Sequence, residues 1–215
     1  MPRITIRGFF YANFTNPTCN QTVERIKFLR HIFRPKGNLH WMPSTFIIPI
    51  PYSKRMIDII EADLKNNNHG DAILFMLNEY ATDIMGGGDG ISDYVKQNLI
   101  AQLKAKPGTL VLLAYDQSQP IGLAISFEGF STFQAKPLLN LHDFAVSSHA
   151  RGKGVAKAML EKLESISKQR GYCKITLEVL EGNSRAQKIY KDFGFHSYSL
   201  EPTMGRALFL DKGLG

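Results

Sequence analysis

A chain of 215 residues, 44% hydrophobic and 21% charged, has the size and composition of one globular domain with some length to spare. No apolar run approaches the roughly 20 residues needed to cross a bilayer, so we expect no membrane span and no membrane partner. The two cysteines, Cys19 and Cys173, form no Cys-x-x-Cys pair. That argues against a disulfide framework or a metal site and favours a reducing compartment, which we take to be the cytoplasm.

The positive charge is concentrated in the first quarter of the chain. Residues 1–55 hold nine Lys or Arg against the single acid Glu24, which gives +8 there and leaves −1 of the total of +7 for residues 56–215. The nearly neutral remainder gives no basis for a nucleic-acid surface. Residues 1–55 also carry six prolines, and we predict a basic extension outside the fold. The open alternatives are a transit segment, a basic arm that contacts nucleic acid or lipid, and a true translation start at Met56.

From Met56 onwards the hydrophobic residues fall into regular patterns. Strands are predicted where β-formers cluster or alternate with polar residues, and helices where apolar residues recur every three or four positions. The first elements in chain order are a strand at 56–64, a turn at 66–70, a helix at 71–84 and a helix capped by Ser92 and ended by Pro107. Strands follow at 110–115, 121–127 and 139–146. The last elements are a helix over 156–168 that ends at Gly171, a strand at 174–180, a helix at 184–193 and two terminal strands around 195–200 and 206–210.

The segment 139–171 has the composition of a strand, a tight turn and a helix. Its turn, Arg151-Gly-Lys-Gly154, would place unpaired N–H groups at the start of a helix, where the helix dipole favours an anion. Arg151 and Lys153 add positive charge, so a phosphate or diphosphate is the expected guest. The Gly-Lys-Ser/Thr of a P-loop is absent, and Lys157 stands where a dinucleotide motif needs its third glycine. From these residues alone, an ordinary strand–turn–helix is as well supported as an anion site.

Two segments together resemble the GNAT family of N-acetyltransferases. Asp143-Phe-Ala-Val146 followed by Arg-x-x-Gly-x-Ala over 151–156 resembles the family's acetyl-coenzyme A signature. The segment 177–195 is similar to the family's later strand and helix, with an asparagine, an alanine, a tyrosine and a Gly-Phe ending at the family's spacing. The resemblance covers roughly residues 56–210. It implies the GNAT fold, an α/β architecture in which a mixed twisted sheet of about seven strands is covered by about four helices and splays between strands 4 and 5.

The resemblance implies acetyl-coenzyme A as co-substrate, held by backbone groups of the strand, by the glycine turn and by an asparagine before the last helix. Ala156 stands where the motif has a glycine, but a small side chain is an accepted variant there. Asn183 would meet the pantetheine arm, although an asparagine at this position is also a good helix cap. The expected cofactor-binding residues are Phe144, Ala145, Val146, Arg151, Gly152, Lys153, Gly154, Val155, Ala156 and Asn183.

The resemblance also suggests the catalytic residues. Tyr190 matches the family's usual general acid, which protonates the departing thiolate; a core aromatic is the alternative. His142 stands where diamine acetyltransferases carry a glutamate and is our candidate for the general base, with Glu178 as a fallback. Because neighbouring side chains on a strand point to opposite faces, we expect that His142 and Asp143 cannot both face the acceptor.

The implied function is direct transfer of an acetyl group from acetyl-coenzyme A to a primary amine of a small molecule, with general acid and base help. Two alternatives remain: acetylation of proteins or peptides, and a non-catalytic acyl-coenzyme A sensor. The expected partner is the small-molecule amine, without nucleic acid. Dimerisation through the last strands is common in the family, so a homodimer is left open. The amine itself is not specified by the sequence.

Overall fold

The computed structural model describes residues 57–198, 201, 203, 205 and 207–213, and the extension predicted at 1–55 lies outside them. Within the described residues, five strands form one sheet and four α-helices cover it. The strands are β1 (Ile57–Glu61), β2 (Thr109–Asp116), β3 (Gln119–Ser131), β4 (Lys136–Val146) and β5 (Ile175–Leu177). The helices are α1 (Asn67–Thr82), α2 (Asp93–Ala105), α3 (Val155–Gln169) and α4 (Ser184–Phe193).

The sheet has the strand order β1-β2-β3-β4-β5, in which the first four strands are antiparallel and β5 runs parallel to β4. Ile175–Leu177 pair only with Leu139–Leu141 in the first half of β4. The second half, up to Val146, is paired with β3 on one side and has no strand neighbour among the described residues on the other. The expected mixed fold, including the splay between the fourth and fifth strands, is confirmed.

Alternating residues of the strands divide the core between two helical layers. In β2, Leu110, Leu112 and Ala114 join the cluster under α3 and α4, whereas Val111 and Leu113 join the cluster under α1 and α2. Side chains of a strand point to opposite faces in turn, so one apolar strand serves both layers. Each fully buried leucine contributes about 1.5–3 kcal/mol relative to an exposed one.

Helix α1 begins four residues earlier than the sequence indicated. The prediction treated Asn66–Gly70 as a turn, because asparagine and glycine are poor helix formers. In the structure, the Asn66 side chain caps the helix by accepting a hydrogen bond from the Asn68 N–H. A Cβ at Gly70 would lie 3.6 Å from the Ile100 side chain. That is an ordinary contact distance, so the packing does not require a glycine there. The Asn66 cap and the burial of one face of α1 outweigh local propensity.

The two terminal strands expected around 195–200 and 206–210 are a wrong prediction for the part of the chain that the structure describes. No strand is assigned at 195–198 or 207–210, although the Ala207 N–H donates to the Tyr198 carbonyl at 3.1 Å. Leu208, Phe209 and Leu210 are 77–83% exposed. A two-stranded ribbon without a covering layer buries too little apolar surface to be stable. The described sheet thus has five strands rather than about seven.

None of the described helices combines the length and the hydropathy that crossing a membrane would need.

Candidate functional site

A cavity of about 570 Å³ opens where β4 and β5 separate. Its walls are the C-terminal half of α1, the 3₁₀ turn Ile84–Gly86, the end of β4, the glycine turn before α3 and the first turns of α4. This volume lies within the range of about 300–1,000 Å³ that is typical of small-molecule sites. All the residues predicted to bind cofactor or to act in catalysis line it, except Lys153, His142 and the fallback base Glu178.

The glycine turn leaves backbone donors free at the start of α3. Gly152 and Gly154 have φ angles of +78° and +84°, in the left-handed region that favours glycine. Gly154 is the N-cap of α3 and has no side chain to cap the helix, and the first bond within the helix is donated by Ala158. The N–H groups of residues 155–157 therefore have no partner within the helix. Such a set of donors at a helix start is suited to an anion.

Arg151, expected to supply charge to that anion, is already anchored at two points. Its Nη2 donates to Asp83 Oδ2 at 2.7 Å, and its Nε donates to the Val146 carbonyl at 3.0 Å. The Met85 N–H and the Arg151 guanidinium both lower the pKa of Asp83. A guanidinium has five N–H donors, so three remain available to a ligand.

Asn183 acts as the N-cap of α4. Its Oδ1 accepts a hydrogen bond from the Ala186 N–H at 3.1 Å, and the residue also lines the cavity. The capping role that the sequence indicated is confirmed. The amide nitrogen of the same side chain is not needed for the cap and can donate to a ligand.

Tyr190 is 8% exposed and belongs to an aromatic cluster at the back of the cavity. Its ring centroid lies 6.2 Å from that of Phe144 and 5.8 Å from that of Phe195. Burial, with a smaller contribution from Tyr80, raises the pKa of Tyr190 to about 12. The phenol therefore keeps its proton throughout the physiological pH range and can act as a hydrogen-bond donor.

His142 lies outside the cavity because of an irregularity in β4. Asp143 pairs with Ile125 and Leu141 with Ser126, so His142 is the extra residue of a β-bulge. The exposed His142 ring lies 5.5 Å from the ring of Phe127, which packs in the same core cluster as Ile125. The bulge interrupts the alternation along β4, so His142 and Asp143 lie on the same face of the sheet, and neither lines the cavity.

Asp143 lies beneath α1, on the same face of the sheet as His142. Burial raises the pKa of the Asp143 carboxyl, and His142 opposes that shift. Asp143 also contributes to the raised pKa of Tyr80, after burial of that phenol. Asp143 thus interacts electrostatically with His142 on the outside and with Tyr80 on the cavity wall.

Several polar residues of the cavity were not predicted from the sequence. They are Glu79, Tyr80 and Asp83 on and after α1, and Arg185 in the first turn of α4. Tyr80 follows the apolar spacing of a helix, and acidic residues on a helix more often face solvent. Their spacing of four residues was the available signal, because it places both carboxylates on one side of a helix.

Comparisons with known proteins show the family to which the chain belongs. A family model described as "Acetyltransferase (GNAT) family" matches residues 73–195. The chain is 28% identical over 87 residues to the uncharacterized N-acetyltransferase YhfO of Bacillus subtilis (strain 168), covering 40% of this chain and 58% of that protein. It is 26% identical over 98 residues to the thialysine N-epsilon-acetyltransferase of Bos taurus, covering 45% of this chain and 53% of that protein. The chain thus spans little more than half the length of these relatives.

A solved structure described as a probable acetyltransferase superposes with a TM-score of 0.61 at 20% identity. The superposition covers 73% of this chain and 98% of that one, and at this identity it shows the fold alone. The family match is the stronger finding, because it extends over more than half of the chain, from within α1 to just beyond α4. The chain therefore belongs to the GNAT family of acetyltransferases.

Proposed function

We propose that the protein transfers an acetyl group from acetyl-coenzyme A to a primary amine of a small molecule. The observation that carries the proposal is the meeting of two features in one cavity. A glycine turn with free N–H groups forms one wall, and the Tyr190 phenol lies on another. Binding of an anionic carrier and donation of a proton to its reactive end are thus available within about 570 Å³.

The glycine turn fits a diphosphate. The N–H groups of residues 152–156 and the remaining donors of Arg151 would bind the phosphate oxygens, with Lys153 adding charge from the surface. A Cβ at Gly152 or Gly154 would meet no atom within 4 Å, so there is open space beside the turn. Phe144, Ala145 and Val146 would hold the pantetheine arm along the open side of β4, with the Asn183 amide opposite.

In this proposal Tyr190 is the general acid, donating a proton to the departing thiolate. A model thiol has a pKa of about 8.5, well below the value of about 12 that burial gives Tyr190. Burial also disfavours a thiolate, so the pKa of a thiol that leaves in the same cavity rises. The difference between the pKa of that thiol and the pKa of Tyr190 becomes smaller. A backbone N–H of Phe144 or Val146 is the proposed donor to the oxyanion.

His142 remains our candidate for the base, with an indirect role. It is exposed and absent from the cavity lining, so a proton from the ammonium would reach it through water or through Asp143. Asp143 is suited to such a relay, because burial already raises the pKa of its carboxyl. The name of the bovine relative, a thialysine N-epsilon-acetyltransferase, supports a small amine as acceptor.

We also propose that the protein acts in the cytoplasm.

The test is a thiol-release assay with acetyl-coenzyme A and a panel of polyamines, thialysine and other amino acids, aminoglycosides and peptides. The proposal expects turnover of at least one small amine with kcat/KM at least about tenfold above that of any peptide. Preference for a peptide would support the protein-acetylating alternative. Tight binding of acetyl-coenzyme A in calorimetry without turnover on any amine would support the sensor. Absence of binding would refute all three.

A further inference from the structure

Glu79 of α1 holds the segment that leads from β4 into the glycine turn. Its Oε2 accepts a hydrogen bond from the Ser147 hydroxyl at 2.5 Å, and its Oε1 accepts one from the Ser148 N–H at 3.3 Å. The Ser147 side chain is 1% exposed, and its hydroxyl also lies 3.6 Å from the Met76 sulfur. Both contacts cross nearly 70 positions of the sequence, so they fix one part of the fold against another.

Asp83 holds the same segment one helical turn further along. One carboxylate oxygen accepts from Arg151 Nη2 at 2.7 Å, and the other accepts from the Met85 N–H at 3.0 Å. Arg151 in turn donates from Nε to the Val146 carbonyl at 3.0 Å. Glu79 and Asp83 are four positions apart and so face the same way. Together they hold both ends of the stretch 147–151, and we name these contacts the acidic clamp.

The glycine turn needs such an anchor. Gly152 and Gly154 give it little conformational stiffness, and no side chain caps the start of α3. A binding loop that is ordered before its ligand arrives loses less conformational entropy on binding and therefore binds more tightly. Hydrogen bonds to a carboxylate are shorter and stronger than neutral ones, so two acids are suited to this task.

We propose that Glu79 and Asp83 are positioning residues that pre-order the glycine turn, so that helix α1, which carries no part of the phosphate-binding motif, sets the affinity for coenzyme A. This inference rests on the proposed function. It adds that the affinity depends on side chains outside the phosphate-binding motif itself. It also implies that the clamp acts on binding of the carrier far more than on the chemical step.

The experiment compares four single variants of the full chain and one double variant, Glu79→Ala with Ser147→Ala, with the wild type. Glu79→Ala removes both acceptors, Glu79→Gln keeps one acceptor oxygen, and Ser147→Ala removes the buried donor from the other side. Alanine favours a helix, so α1 is expected to form in the first variant. Glu164→Gln on α3, which removes the charge of an exposed pair with Lys168, is the matched control.

Three readouts are used, and the third is kcat in the thiol-release assay. Hydrogen–deuterium exchange without ligand measures how ordered residues 148–157 are, and calorimetry with free coenzyme A measures affinity. Glu79→Ala is expected to speed exchange in this segment about tenfold, leave β2 unchanged, and raise the Kd for coenzyme A about 10–30-fold. At saturating acetyl-coenzyme A, kcat is expected to stay within about threefold. Glu79→Gln should lie between wild type and Glu79→Ala, and Glu164→Gln should match wild type.

Adding Ser147→Ala to Glu79→Ala is expected to cause little further loss of coenzyme A affinity and little further increase in exchange, because both changes remove the same contact. Additive effects of the two substitutions, or unchanged exchange at 148–157 in Glu79→Ala, would overturn the clamp. Faster exchange with unchanged coenzyme A affinity would overturn its role in binding. If the wild type does not bind coenzyme A, the proposed function and the binding role both fall, while the exchange data still decide whether the acids order the turn.

Discussion

Replacing Tyr190 by phenylalanine removes one oxygen atom and leaves the aromatic packing in place. The ring contacts with Phe144 and Phe195 do not require the hydroxyl, so affinity for coenzyme A is expected to stay within about twofold. Loss of a general acid typically lowers turnover by about 10²–10⁴-fold. We expect the lower end of that range, because burial raises the pKa of Tyr190 to about 12 and makes the phenol a weaker acid than a solvated one.

The same substitution has a consequence for stability at alkaline pH. The pKa of tyrosine is about 10 in an unfolded chain and about 12 at Tyr190 in the fold, so the folded state holds the proton more tightly. This contribution is fully present below pH 10 and is lost as the pH rises towards 12. Between pH 9 and pH 11 the wild type should lose about 1.3 kcal/mol of unfolding free energy through this group, and Tyr190→Phe should not.

Guanidinium unfolding of both proteins at pH 9 and pH 11 measures this difference, and other titrating groups cancel in the comparison. Steady-state thiol release gives turnover, and calorimetry gives coenzyme A affinity. Parallel loss of stability in the two proteins would show that the phenol is not held neutral by burial. Unchanged turnover would remove Tyr190 from the reaction, whatever its pKa.

Three further substitutions test the site and the core. Arg151→Gln should raise the Kd for coenzyme A about tenfold at low ionic strength and by less in calorimetry at 0.5 M salt, since a charge contact with phosphate is lost; an effect that salt does not change would show that the loss comes from the contact of Arg151 with Asp83 and not from the phosphate. In urea unfolding, Gly154→Ala should lower the unfolding free energy by about 1–2 kcal/mol, because φ is +84° there. Gly182→Ala, at a glycine without a positive φ, should leave the unfolding free energy nearly unchanged. Gly122→Ala should cost about 1–3 kcal/mol in the same assay, because its Cβ would lie 2.6 Å from the Met159 sulfur and 3.1 Å from the Ala114 Cβ; an unchanged midpoint would mean that the flexible Met159 side chain makes room.

Helices with a capping residue at the start and a glycine at the end were predicted well from the sequence. Helix α4 was expected at 184–193 and is observed there, because Asn183 caps its first turn and Gly194 ends it with a φ of +105°. The family resemblance, drawn from motifs around the glycine turn and α4, is confirmed by the family match. The residues around the glycine turn could be foreseen because motif and turn lie within one short segment.

What the sequence did not indicate depends on contacts between distant segments. The pairing of Glu79 with Ser147 and of Asp83 with Arg151 leaves no local pattern, since each contact needs α1 to pack beside the end of β4. The bulge at His142 is a matter of register between β3 and β4, which alternation along one strand cannot reveal. The roles of His142, Tyr190 and the cofactor-binding residues remain predictions.

Among the described strands, β4 and β5 share the shortest pairing in the sheet. Only three residue pairs join the two strands, and beyond them the polar backbone of β4 on that side has no strand partner in the described sheet. A carrier bound between the two strands would stabilise the folded state. At a concentration one hundred times its Kd, it would add about 2.7 kcal/mol to the unfolding free energy. The resistance of the protein to proteolysis should therefore rise with the concentration of the carrier. Cells with a low concentration of the carrier should then also contain less of the protein.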